Sequence, residues 1–113
     1  MKASDVIARV RHLLADTKDP YRWPDTELML YVSDAQRHIV SLRPDAAYIS
    51  SVTVPDDYSV PTVGTTLVIA DAFMDAAVDY VCHRSIMKDA EHADNLKLAE
   101  VYEAGFAQKV QSA

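Results

Sequence analysis

A segment bounded by two prolines, RWPDTELMLYVSDAQRHIVSLRPDA, constrains the fold of this chain more than any other. Pro24 suits the first turn of a helix, where a missing N–H costs nothing. Asp25 and Glu27 place negative charge at the positive end of the helix dipole. Pro44 disfavours helical geometry at the residue before it and so ends the run. These signals predict a helix over residues 25–42.

The apolar residues of this second helix form a narrow seam at heptad-like spacing. The seam consists of Leu28, Val32, Ala35, Ile39 and Leu42. Because a seam of this kind must be buried against other helices, it predicts a bundle. Leu30 lies on the otherwise polar side near Arg37, and both side chains are candidate contacts for a neighbouring molecule.

Three further segments have helical periodicity, over residues 5–15, 66–87 and 89–108. Ser4 is the predicted N-cap of the first helix and Asp89 that of the last. The last helix is expected to bury Leu96, Ala99, Phe106 and Val110. The predicted core of the bundle comprises Val10, Leu14, Leu28, Val32, Ile39, Phe73, Tyr80 and Phe106.

The segment between the second and third helices has a different pattern. Residues 48–60 alternate polar and apolar side chains around a proline and two aspartates, which is typical of extended chain. A β-hairpin and an irregular loop are both compatible with this pattern, and Tyr48 and Tyr58 are candidate contacts. We therefore predict an all-α fold, a small bundle of about four helices with a short extended loop or hairpin, forming a single domain over residues 1–113.

Composition limits the possible functions. The net charge of −6 argues against ordinary nucleic-acid binding, which needs a basic footprint. The two glycines cannot form a phosphate-cradling loop. The N-terminus lacks the apolar centre of an export signal, and no apolar run approaches the length of a membrane span. The single cysteine, Cys82, fits a reducing compartment.

Three carboxylates in the third helix form the most distinctive charge pattern. Asp71, Asp75 and Asp79 are spaced at i, i+4 and i+8 and are expected to share one side of the helix, opposite Phe73 and Tyr80. They are expected either to be exposed, facing solvent or a DNA channel, or to pair with basic residues of a neighbouring subunit, since unpaired burial is costly. A divalent-cation site is a third, weaker alternative.

No other cluster predicts a catalytic, metal or cofactor site. Cys82, His83 and His92 lack the paired spacing of a structural zinc site, and adjacent residues of a helix diverge rather than form a nucleophile pair. Trp23 has two interpretations. Either it covers the core between the first two helices, or it anchors an interface.

Taken together, the segments DVIARVRHLLAD, RWPDTELMLYVSDAQRHIVSLRPDA and FMDAAVDYVCHRSIMKDAEHADNLKLAEVYEAGF resemble the head–tail adaptor, or head-completion, proteins of tailed bacteriophages. The first family signature is matched by Trp23, Asp25, Glu27 and Leu28. The second is matched by residues 34–37, 39–40 and 42–46. The third is matched by residues 77–81, 84–85 and 88–91. The chain departs from the family in its middle, where longer relatives carry an additional β segment.

The resemblance implies an α-helical subunit that assembles into a ring, commonly a dodecamer, beneath the portal protein of a DNA-filled head. Such a ring offers a docking surface to a tail or nozzle protein, and DNA passes through its channel without specific binding. The implied location is the head–tail junction of the virion, with assembly in the host cytoplasm. No enzymatic activity, cofactor or membrane partner is implied.

Two alternatives belong to other functional classes. Helices of this length joined by short loops also allow a helix-turn-helix regulator, although the chain is acidic and lacks a recognition helix rich in arginine and lysine. A small virion-associated lytic enzyme would need a carboxylate pair with one pKa raised by an apolar pocket. DNA-binding and cell-wall hydrolysis assays distinguish these alternatives from an adaptor.

Overall fold

The computed structural model describes residues 2–18, 20–43, 45, 67, 69–88 and 93–112. Within these ranges the protein is an all-α bundle, which confirms the predicted fold class. The four helices are α1 (Ala3–Leu13), α2 (Asp25–Leu42), α3 (Met74–Met87) and α4 (Ala93–Ser112), and a 3₁₀ turn at Asp71–Phe73 leads into α3. The extended segment predicted at 48–60 and the cap predicted at Asp89 lie outside the described residues.

Helix α3 is the centre of the bundle. Helices α1, α2 and α4 each pack against it, and α1 also packs against α2. Most of α3 is buried, including residues on nearly every side, as expected of a helix surrounded by others. Helices α1 and α4 lie on either side of the part of α3 that includes Met74, Asp75 and Val78.

The predicted core is largely confirmed. Seven of its eight members are buried, and Leu14 is half-buried against them. The predictions for Leu42 and Leu96 are wrong, since their exposed fractions are 58% and 41%. Leu42 is the last residue of α2 and Leu96 lies in the first turn of α4, and at these helix ends fewer neighbouring helices remain to cover a side chain.

Two predicted helix starts need correction. Helix α1 begins earlier, with Lys2 and not Ser4 as its N-cap, because the Lys2 N–H donates to Asp5 Oδ2 at 2.8 Å. The third helix begins later than residue 66. Leu67 and Ile69 are both buried, and side chains two residues apart share a face only in extended chain.

The turn after α1 ends in a left-handed residue. Ala15 has a φ of 55°, its N–H donates to His12 O, and the next N–H, of Asp16, donates to Arg11 O at 2.9 Å. This pair of bonds is a Schellman motif, in which glycine is the usual left-handed residue. The motif turns the chain so that the Asp16 carboxylate points back toward α2.

Candidate assembly surfaces

Three contacts fasten α2 to α3. The indole N–H of Trp23 donates to Ser85 O at 2.9 Å, Lys88 Nζ lies 2.9 Å from Glu27 Oε1, and Arg84 lies 3.3 Å from Asp34 Oδ2. These pairs join the start of α2 to the end of α3, so the two helices run antiparallel. All six residues belong to the sequence segments that suggested the phage-adaptor resemblance.

Trp23 is part of the core and not an interface anchor. Its exposed fraction is 7%, and its polar atom is satisfied within the chain. The interpretation of Trp23 as a subunit or portal contact is therefore wrong, because a side chain with so little free surface has nothing to offer a partner. The other interpretation, a cover for the core between the first two helices, agrees with its burial, although its indole also bonds to α3.

A buried charge network holds the connection between α1 and α2. Arg11 donates to Asp16 Oδ2 at 2.8 Å and to Asp25 Oδ1 at 2.6 Å, and both Arg11 and Asp16 are buried. The Asp16 carboxylate also accepts the backbone N–H groups of Arg22 and Trp23. The sequence pattern did not predict this network, and its one signal was a charged residue, Arg11, next to the apolar Val10.

The three aspartates do not share one environment. Asp71 and Asp75 are exposed, whereas Asp79 is buried and pairs with Lys109 Nζ of the same chain at 2.7 Å. The predicted exposure of Asp79, or its pairing with a neighbouring subunit, is therefore wrong. Burial is tolerated because Lys109 neutralises the carboxylate. The spacing misled because α4 lies against α3 at Asp79, through Gly105 and Lys109, but leaves Asp75 exposed.

The outward side of α2 carries the remaining predicted contacts that the structure describes. Leu30 is 50% exposed, and the Arg37 side chain is also 50% exposed, 3.8 Å from Asp34. We call this side, defined by Leu30 and Arg37, the α2 ridge. Tyr48 and Tyr58, the other candidate contacts, lie outside the described residues.

A groove lies over α3, between α1 and the end of α4. Its volume is about 620 Å³, and α1 and the end of α4 form its walls. Met74, Asp75 and Val78 form the floor, and the α1 wall includes Ala8 and Leu13. Leu13 also borders a second cavity of about 230 Å³, which continues toward Ile86 and Leu98. The two cavities share Leu13, and we refer to them together as the α1–α3–α4 groove.

The histidines and the cysteine do not form a metal centre in the described part of the chain, where no group of three potential ligands comes together. His83 Nδ1 lies 3.0 Å from Ala99 O and carries the proton there, because a carbonyl only accepts. Burial raises the pKa of the Cys82 thiol to about 12, and nearby Asp79 adds to the effect. Such a thiol is a poor nucleophile at neutral pH. His92 lies outside the described residues.

Comparisons with known proteins give no relative. No protein-family model matches the sequence, and no curated protein or solved structure matches it significantly. In the part of the chain that the structure describes, every helix is too short or too polar to cross a bilayer.

Proposed function

We propose that this protein is a head–tail adaptor of a tailed bacteriophage. In this role it forms a ring beneath the portal protein, completes the DNA-filled head and offers a docking surface to the tail. Its location is then the head–tail junction of the virion, and its assembly takes place in the host cytoplasm. The proposal assigns no catalytic residue and no cofactor.

The observation that supports the proposal most is the meeting of the adaptor-like segments in space. The second segment supplies Trp23, Glu27 and Asp34, and the third supplies their partners at the end of α3, which are Ser85, Lys88 and Arg84. These contacts between residues that are far apart in sequence all hold α2 against α3. A resemblance made of mutually contacting residues describes a common packing unit better than scattered matches would.

The surface chemistry is compatible with an assembly role. The α2 ridge and the α1–α3–α4 groove leave apolar side chains uncovered on two sides of a small domain, including Leu30 at 50% and Leu13 at 52% exposure. A subunit of a ring needs two such contact surfaces, one for each neighbour. The net charge of −6 favours a channel that DNA passes without being held.

Electron microscopy and mass photometry test the proposal directly. The purified chain is imaged alone and after mixing with the portal ring of the same phage, and we expect annular particles that add density beneath the portal. A chain that stays monomeric and leaves the portal unchanged would overturn the proposal. DNA titration at low salt and a cell-wall hydrolysis assay, run on the same sample, detect a regulator or a lytic enzyme instead.

A further inference from the structure

A cavity of about 220 Å³ lies between α2, α3 and α4, and among the described residues it shares no lining with the α1–α3–α4 groove. It is smaller than the pockets of about 300–1,000 Å³ that hold drug-sized ligands, so it has room for a ligand of one ring system. Its lining consists of side chains that carry a ring or a charge, which are His38, Tyr80, His83, Arg84, Glu103 and Phe106. Four of these six have a flat ring, and the cavity therefore favours a flat ligand.

Tyr80 contacts the other three rings. The centroids of His38 and Phe106 lie 5.1 and 5.2 Å from that of Tyr80, and the centroid of His83 lies 6.4 Å away. These separations are within the range of favourable contacts between aromatic rings. The contacts fix the Tyr80 ring, whose residue is only 6% exposed, at the wall of the cavity.

The hydroxyl group of Tyr80 has a donor but no acceptor. Its oxygen accepts a hydrogen bond from Arg84 Nη1 at 2.9 Å, and its own hydrogen has no acceptor among the described residues. Nearly all buried donors in folded proteins have a partner. An unpaired O–H on a buried residue that lines a cavity therefore points to an acceptor inside that cavity.

Donors and acceptors lie on different sides of the cavity. Arg84 is held toward α2 by Asp34 Oδ2 at 3.3 Å, whereas His83 is held toward α4 by Ala99 O at 3.0 Å. Because His83 Nδ1 carries the proton of the neutral ring, its Nε2 is an acceptor. Glu103 adds a carboxylate on α4 that forms no ion pair within the described residues. The α2 side thus offers donors, and the α4 side offers acceptors.

This mixture does not suit a simple ion. An anion would lie beside Glu103, and a cation would lie beside Arg84. A flat ring with a carbonyl and N–H groups on its edge satisfies both sides. Proteins recognise nucleobases with the same groups, since arginine donates to the carbonyl of guanine, carboxylates accept from amino groups of bases, and bases stack on aromatic and histidine rings.

We propose that this cavity binds one nucleobase with the edge of guanine. The carbonyl of the base faces Arg84 and the Tyr80 hydroxyl, and its N–H groups face Glu103. The site goes beyond the adaptor function and does not depend on it. Base pairing engages these same edge groups, so the ligand is a free nucleotide or an unpaired base, and intact duplex DNA is not bound.

A titration of the isotope-labelled full chain, followed by NMR, tests the site. The probes are the monophosphates of deoxyguanosine and deoxyadenosine, which share the sugar and the phosphate but differ in the edge of the base. We expect saturable shifts at the residues that line the cavity. The guanine nucleotide should bind at least about tenfold more tightly, as expected for one well-formed contact to a base edge.

Two variants locate the contacts. Glu103→Ala removes the acceptor and should weaken binding of the guanine nucleotide at least about tenfold. Glu100→Ala, an exposed change on the same helix and outside the cavity, is the matched control and should bind like the wild type. Tyr80→Phe keeps the ring but removes the hydroxyl group, and it should also weaken binding. Circular dichroism verifies that each variant is folded.

A thymine oligonucleotide with a single guanine, titrated in parallel, distinguishes the two sources of the base. Tighter binding of the oligonucleotide indicates an unpaired strand, whereas tighter binding of the mononucleotide indicates a free nucleotide, and both support the site. If water alone fills the cavity, no nucleotide shifts its residues and the proposal is wrong. It is equally wrong if both mononucleotides bind alike, or if Glu103→Ala binds like Glu100→Ala, whether or not the chain forms rings.

Discussion

Gly105 of α4 lies against the carboxylate of Asp79 on α3, so that a Cβ at position 105 would be 2.7 Å from Asp79 Oδ2. The same oxygen atom is held by Lys109 at 2.7 Å. The absence of a side chain at 105 is therefore what allows α4 to approach the buried ion pair. Glycine in a helix costs about 1 kcal/mol relative to alanine, and here the close approach offsets that cost.

Gly105→Ala is expected to destabilise the protein, despite the better helix propensity of alanine. The added methyl group must displace the Asp79 carboxylate or α4, which costs about 1–3 kcal/mol, and urea denaturation measures the difference. In an Asp79→Ala background the obstacle is gone, and the same substitution should stabilise by up to about 1 kcal/mol. If Gly105→Ala stabilised the protein in both backgrounds, the close approach of position 105 to Asp79 would not affect stability.

Ala15→Gly is expected to stabilise the protein by about 0.5–1 kcal/mol. Ala15 has a φ of 55°, where an alanine is strained and a glycine is not. Ala104→Gly, at an exposed position inside α4, is the control and should destabilise by about 1 kcal/mol. Thermal unfolding of the two variants should therefore shift in opposite directions, and shifts of the same sign would contradict a left-handed Ala15.

Trp23→Phe is expected to lower the free energy of unfolding by about 1–3 kcal/mol. Phenylalanine keeps an aromatic ring but leaves the carbonyl of Ser85 without the indole donor, and an unsatisfied buried group carries that cost. Tyr21→Phe keeps the ring that Arg11 stacks on and is the control. Denaturation followed by circular dichroism measures both, and equal effects would argue against the indole hydrogen bond.

Asp16→Ala is expected to be among the most damaging single substitutions, at about 3–5 kcal/mol, because it removes one partner of a buried ion pair. It also leaves the N–H groups of Arg22 and Trp23 without their acceptor. The exposed Asp75→Ala is the matched control and should change stability by less than about 0.5 kcal/mol. A small effect at position 16 would mean that the network contributes little.

Tyr31 should titrate later than an ordinary tyrosine. Burial, followed by the hydrogen bond that its hydroxyl donates to Glu27 at 2.9 Å, raises its pKa from 10.0 to about 12. Since the folded pKa is the higher one, the stabilisation is complete below pH 10 and is lost as the pH rises toward 12. Absorbance titration at alkaline pH, compared with that of Tyr31→Phe, isolates this group. Glu27→Ala removes both the acceptor and its charge and should lower the pKa of Tyr31, and an unchanged titration would contradict the contribution of Glu27.

The sequence alone determined the elements that depend on local chemistry. Helix α2 has the predicted bounds, because Pro24 and Pro44 act on backbone geometry wherever the chain folds. Most of the core also followed from periodicity, since an apolar stripe has to be buried somewhere. Leu42 and Leu96 are exposed although they fit the apolar pattern. The pattern of apolar residues does not show where the neighbouring helices end.

Only the tertiary structure decided which polar groups meet. Asp79 reads as one of three like charges along a helix, and its burial depends on Lys109, thirty positions later, and on the missing side chain of Gly105. The sequence allowed Trp23 to contact either a partner or the core, and the hydrogen bond from its indole to Ser85 O decides for the core. The groove likewise belongs to no single segment, because a surface formed by α1, α3 and α4 exists only after the helices have packed. Local propensity sets the helices, and the cost of burying unpaired polar groups selects the packing that pairs them.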